Sequence, residues 1–146
     1  MALLQDVKIG EMRVNKLRAK GVDGTVAWQN IDFTVGTESE DVVNVLVQLK
    51  DGNDNDCEEA VSVMAYVSDT AGGAVAASAP DGGAAIGTEG TKIDTFTANK
   101  SYLFKTNSTG AFDVDVTESG TDTFYFNVVN PLTGEIESSA VLTFTA

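Results

Sequence analysis

Histidine is absent from this 146-residue chain, and cysteine occurs once, as Cys57. Without imidazole there is no histidine-dependent triad, and the commonest general base and metal ligand are both missing. One thiol forms no internal disulfide and no thiolate zinc site, and it fits synthesis in a reducing compartment. Its neighbours Asp54, Asp56, Glu58 and Glu59 disfavour a reactive thiolate. Proline is scarce, with two residues, while fourteen glycines supply many turns. No apolar run approaches the length of a membrane span, and the two-leucine patch in MALLQDVKIGEM is too short for a secretory core. The expectation is a protein made in a cytoplasm, or assembled there into something larger.

Positive charge is scarce too: nine lysines and arginines stand against 22 acids, a net charge of −13. The shortage is uneven. Residues 1–20 hold Lys8, Arg13, Lys16, Arg18 and Lys20 against Asp6 and Glu11, a balance of +3, which leaves −16 on residues 21–146. So acidic a body repels nucleic acid and anionic membranes at long range. The basic segment is short and has no second patch to support it, so it reads as an arm that docks onto a protein.

What the chain does have is alternation. AFDVDVT (111–117) puts Phe112, Val114 and Val116 on one face and Asp113 and Asp115 on the other. TFYFNVV (123–129) repeats the pattern with Phe124, Phe126 and Val128, after a turn containing Gly120. A period of two marks a strand with one buried and one wet face, so these runs predict a paired, aromatic-rich hairpin. VVNVLVQLK (42–50) directs Val43, Val45, Val47 and Leu49 inward, and AVSVMAYVSD (60–69) does the same with Val61, Val63, Ala65 and Val67. KIDTFTA (92–98) reads as a short β segment in which Ile93 alternates with Thr95 or pairs with Phe96. In KSYLFKT (100–106), Tyr102 and Phe104 share a face, and the closing run turns Ala140, Leu142 and Phe144 inward. Seven strand candidates from Val42 onward, parted by turn residues, predict an all-β, two-sheet antiparallel sandwich over 41–146. The glycine- and alanine-rich stretch 70–91 has no sustained period. It reads as a long surface excursion held by turns at Pro80–Gly83 and Gly87–Gly90, with Ala85 and Ile86 dipping toward the core.

Residues 1–40 read differently, as an N-terminal anchoring arm. EMRVNKLRAK (11–20) fits either a few turns of helix or an extended segment, and GVDG (21–24) is turn chemistry. Ile31, Phe33 and Val35 alternate and predict a strand. Trp28, the only tryptophan, reads either as a plug for one end of the sandwich or as an anchor at a partner interface. The candidate partner-binding residues are Met12, Arg13, Lys16, Leu17, Arg18 and Trp28.

Catalytic and metal chemistry finds little foothold. The glycines at 82, 83, 87 and 90 lack the strand and helix that a phosphate-binding loop requires. Asp113 and Asp115 share a strand face, but on an exposed face a carboxylate pair reads as a solvated, aggregation-resistant surface, and no enzyme activity is expected. DGNDND (51–56) sets oxygen-bearing Asp51, Asn53, Asp54 and Asp56 close together, in the vocabulary of a calcium loop. The spacing is not that of an EF-hand, and the same residues are ordinary in turns, so a metal-free turn is expected and no cofactor is assigned.

LKDGNDNDCEEAVSVMAYVSD resembles the first hairpin of bacterial immunoglobulin-like (Big, invasin-type) domains, and KTNSTGAFDVDVTESGTDTFYFNVV resembles their later part. The span 42–146 is similar to small Ig-like structural proteins of tailed bacteriophages, among them head decoration or cement proteins, head fibres and tail appendages. The resemblance implies an Ig-like β-sandwich in a virion assembled in the host cytoplasm. Its arm would bind the major capsid protein or another lattice protein, with homo-oligomerisation possible and neither nucleic acid nor membrane as partner. The competing expectation is a tail-associated or surface-exposed adhesion module that takes host glycan through 70–91, although that loop contains no aromatic platform.

Overall fold

The computed structural model describes residues 28–146, which form ten strands and no helix. In chain order these are β1 (Asn30–Val35), β2 (Val42–Lys50), β3 (Ser62–Ser68), β4 (Gly83–Ile86) and β5 (Thr91–Thr97). They continue as β6 (Ser101–Lys105), β7 (Ala111–Thr117), β8 (Thr123–Val129), β9 (Ile136–Ser138) and β10 (Leu142–Thr143). One sheet has the order β1-β2-β7-β4. The other runs β10-β8-β3-β6-β5, with β9 beside β10 along the same edge of β8. All pairings are antiparallel, and the two sheets face each other as a β-sandwich.

The alternating runs fill the space between the layers. Val43, Val45, Val47 and Leu49 of β2 and Phe112, Val114 and Val116 of β7 are buried from one side. Val63, Ala65, Val67, Tyr102, Phe104, Phe124, Phe126 and Val128 meet them from the other. The ring of Phe104 stacks on Phe112 across the interface, with centroids 5.0 Å apart, and Phe126 approaches Phe112 edge-on at 6.5 Å. Aromatic contacts of this kind add to area burial and fix how the layers sit.

Several expectations change here. β7 and β8 do not pair as a hairpin: the connection between them crosses from one sheet to the other, and their aromatic faces meet across the core. β2 and β3 likewise belong to different sheets. Alternation dictates which side chains point inward; it does not dictate whether successive strands lie side by side or face to face. The stretch 70–91 contains β4, which pairs with β7, and there Ala84 rather than Ala85 is buried. The turn at Pro80–Gly83 forms through the Gly83 N–H to the Pro80 carbonyl, 3.1 Å. Ala140 is exposed, because the chain between β9 and β10 breaks its period, while Leu142 and Phe144 are fully buried.

The segment read as an arm contributes a strand to the body. β1 pairs with β2 from Asn30↔Lys50 to Val35↔Val45, so the sandwich begins by residue 30. Met12, Arg13, Lys16, Leu17 and Arg18, the choice between helix and extended chain over 11–20, and the turn at 21–24 lie outside the described residues.

Candidate partner-binding region where the leading segment joins the sandwich

Trp28 is the one proposed partner-binding residue within the described chain. Its backbone is left-handed, with φ 58°, and its N–H donates to Cys57 Sγ at 3.2 Å. The indole packs against the core cluster while remaining partly exposed, and its Nε1–H is buried with no acceptor among the described residues. Cys57 is 6 % exposed. Burial pushes its thiol above the ordinary value, against the Trp28 N–H, with Asp51, Asp56 and Glu59 adding to the rise. At this end Gly110 closes over Cys57: it has φ 76°, and a Cβ there would stand 2.2 Å from the Cys57 carbonyl oxygen.

The turn 51–56 lies beside this contact and is organised by its own side chains. Asp51 is 1 % exposed, and its Oδ1 accepts the N–H groups of Asn53 at 2.8 Å and Asn55 at 3.0 Å. Asp54 takes a positive φ of 67°. Asp56 turns away to accept from Lys50 Nζ at 2.7 Å, a bond that raises the lysine's pKa, and Asp32 lies 3.7 Å from the same ammonium. So Asp51 serves the turn's amides, Asp56 serves a lysine, and Asn53 contributes a backbone N–H to the turn. Among the described residues no three carboxylate or thiol groups stand close enough to hold a metal ion.

A second strap holds the start of β1. Asn130, 1 % exposed, donates through Nδ2 to the Gln29 carbonyl at 3.4 Å and to Glu137 Oε1 at 3.0 Å. Its Oδ1 accepts from the N–H groups of Leu132 and Thr133, which fixes the turn between β8 and β9. Glu137 Oε2 accepts the Ile31 N–H at 3.0 Å. One carboxylate of β9 therefore ties β1 to the opposite sheet. This use of Asn130 and Glu137 was not legible in the sequence, because it depends on contacts more than 90 residues away along the chain.

The remaining carboxylate candidates take structural places. Asp113 is 7 % exposed, which overturns its reading as a solvated surface group. Its Oδ1 accepts the Glu89 N–H at 2.5 Å, and Asn44 Nδ2 donates to both Asp113 Oδ2 at 3.0 Å and Asp115 Oδ1 at 2.8 Å. Gly87 permits this approach, since a Cβ there would fall 2.2 Å from Asp113 Oδ2. The loop 69–77 is fastened as well: Tyr66 donates to the Gly73 carbonyl, Lys100 to the Ala77 carbonyl, and the Ala77 N–H to Asp69. A shallow depression of about 470 Å³ lies on the outer face of the six-stranded sheet, lined by Met64, Val129, Asn130 and Leu132 with no titratable group. No helix among the described residues is long and apolar enough to cross a membrane.

Compared with known proteins, the chain matches no protein-family model, and no curated protein matches it in sequence.

Proposed function

We propose that this protein is a structural virion component, a capsid decoration or cement protein or a head fibre. In this reading it binds the phage head lattice through the segment ahead of β1 and presents its β-sandwich outward. The observation that carries the reading is the division of charge: a +3 leading segment precedes a −16 body. The body is a rigid two-sheet sandwich, strapped at the point where that segment joins it. A strongly acidic body keeps crowded copies apart on a lattice, while a basic segment with apolar Met12 and Leu17 supplies attraction and burial. The resemblance of 42–146 to Ig-like phage structural proteins supports the same assignment.

The test is incorporation into particles. Because β1 belongs to the sandwich, the deletion must stop at residue 27 to spare it. Removing residues 1–27, or introducing Arg13→Glu, Lys16→Glu and Arg18→Glu together in the full chain, is expected to abolish co-sedimentation with heads. Circular dichroism should still report a folded β body. Normal incorporation of either variant refutes the proposal.

A further inference from the structure

The two sheets have four outer edges, and three of them are guarded. On β4 the outward Ala84 N–H donates to the Tyr102 hydroxyl at 2.9 Å, and the Ala84 carbonyl accepts from Lys92 Nζ at 3.2 Å. β5 is broken by two irregularities, between Lys92 and Asp94 and between Thr95 and Thr97. The edge beyond β8 is divided between β9 and β10, three and two residues long. Side-chain caps, bulges and short strands are the usual devices against strand addition.

β1 differs. The bond from the Gly36 N–H to the Asn44 carbonyl fixes the ladder's phase, so even-numbered residues of β1 bond to β2 and odd-numbered ones face outward. Ile31 obeys this phase, and its outward N–H is capped by Glu137. Phe33 and Val35 follow with no capping group among the described residues, and both side chains are only partly buried although they pack on the core. The free edge therefore offers two unpaired rungs and an unfinished apolar face. Exposed Asp32 and Glu40 and half-buried Glu38 and Asp41 lie on β1 and the turn that follows it, and Lys50 of β2 already pairs with Asp32 and Asp56.

We infer that this edge accepts the basic leading segment of a second copy of the chain as an added strand. The segment has the matching chemistry: Met12 and Val14 alternate with Arg13 and Asn15, so they would extend the face of Phe33 and Val35 while Arg13 lies near Asp32. Twenty-seven residues precede Trp28, an extended reach of up to about 90 Å, enough to span to a neighbour. A short hairpin return within one chain would first meet the rung that Glu137 occupies, and a segment that folded past it onto its own edge would leave the wild type monomeric. The contact is head-to-tail, with segment on one copy and edge on the next, so it builds chains or rings. It does not depend on the virion reading.

Complementation between two full-length variants tests it. Phe33→Pro removes an outward N–H without touching the β2 ladder, so it disables the edge and leaves the segment intact. Arg13→Glu with Lys16→Glu and Arg18→Glu disables the segment and leaves the edge. Wild-type protein is expected to associate with concentration in sedimentation at physiological ionic strength, and each variant alone to raise the dissociation constant at least about tenfold. An equal mixture of the two should form heterodimers and nothing larger. If Phe33→Pro proves unfolded, Thr34→Lys, at an exposed position, replaces it by putting a repelling cation on the edge. Three results would each overturn the inference: a wild type monomeric up to about millimolar concentration, association that persists in the edge variant, or a mixture that stays monomeric.

Discussion

Asp113 sits on the outward side of β7, yet it is buried beneath the 87–90 loop, whose Glu89 amide and the Asn44 side chain both donate to its carboxylate. Removing such an acceptor strands two donors in a place that water barely reaches. Asp113→Ala is therefore expected to cost about 2–4 kcal/mol in urea denaturation. Asp115→Ala, at a half-buried site with one bond from the same Asn44 amide, should cost less than about 1 kcal/mol. Equal losses would show that the loop is not held by Asp113. Period-two alternation made the outward direction of both residues legible and left what covers them invisible. Asn127, fully buried on the outer face of β8, was hidden in the same way: it donates to Ser68 and accepts from Gly72 and Ser138.

Among the elements, the β1–β2 connection carries visible backbone strain. Ser39 and Val42 exchange both backbone bonds around Glu40 and Asp41, which take φ 52° and 67°. That is the two-residue hairpin geometry that Asn-Gly adopts most readily, because side chains other than glycine, asparagine and aspartate resist it. Replacing Glu40 by Asn and Asp41 by Gly should raise stability by about 1 kcal/mol, read as a higher urea midpoint with an unchanged slope. A lower midpoint would mean that the two acids make contacts that outweigh the strain at Glu40. Strand positions in β2, β3, β6, β7 and β8 were readable from periodicity because each buries a continuous apolar face. The partners of those strands were not. β4 escaped notice because glycine and alanine give almost no hydropathy contrast, whereas β5 reads as a short β segment with its inward side undecided, in keeping with a strand that buries neither face.

At the scale of the whole molecule, several titrating groups act in the same direction. Burial raises the pKa of Cys57, Tyr66 and Tyr102, and the hydrogen bond to Asp56 raises that of Lys50. A group whose folded pKa is raised stabilises fully below its unfolded value and loses that contribution as pH climbs through the folded one. Urea midpoints are therefore expected to fall as pH rises past the ordinary thiol value of 9.0 and on through the range of tyrosine and lysine. Asp81 has the opposite sign: the Ser119 hydroxyl lowers its pKa first, so its contribution disappears as pH drops below the ordinary 3.8. A midpoint that holds steady or rises above pH 9.0 would contradict the assignment of buried Cys57 and Tyr102 and half-buried Tyr66 as protonated groups in the fold. The two-layer architecture was legible as a whole, since seven alternating runs with polar turns have few other ways to bury their faces. The region around Trp28 was legible only in part, because Asn130 and Glu137 reach it from the far end of the chain.

The bond from Ile31 to Glu137 has a mechanical consequence. A tug on the leading segment arrives at β1, where Glu137 and Asn130 divert part of the load into the opposite layer before the first rung can peel. Tension applied there is thus spread over both sheets, and the sandwich resists being unzipped from its leading end.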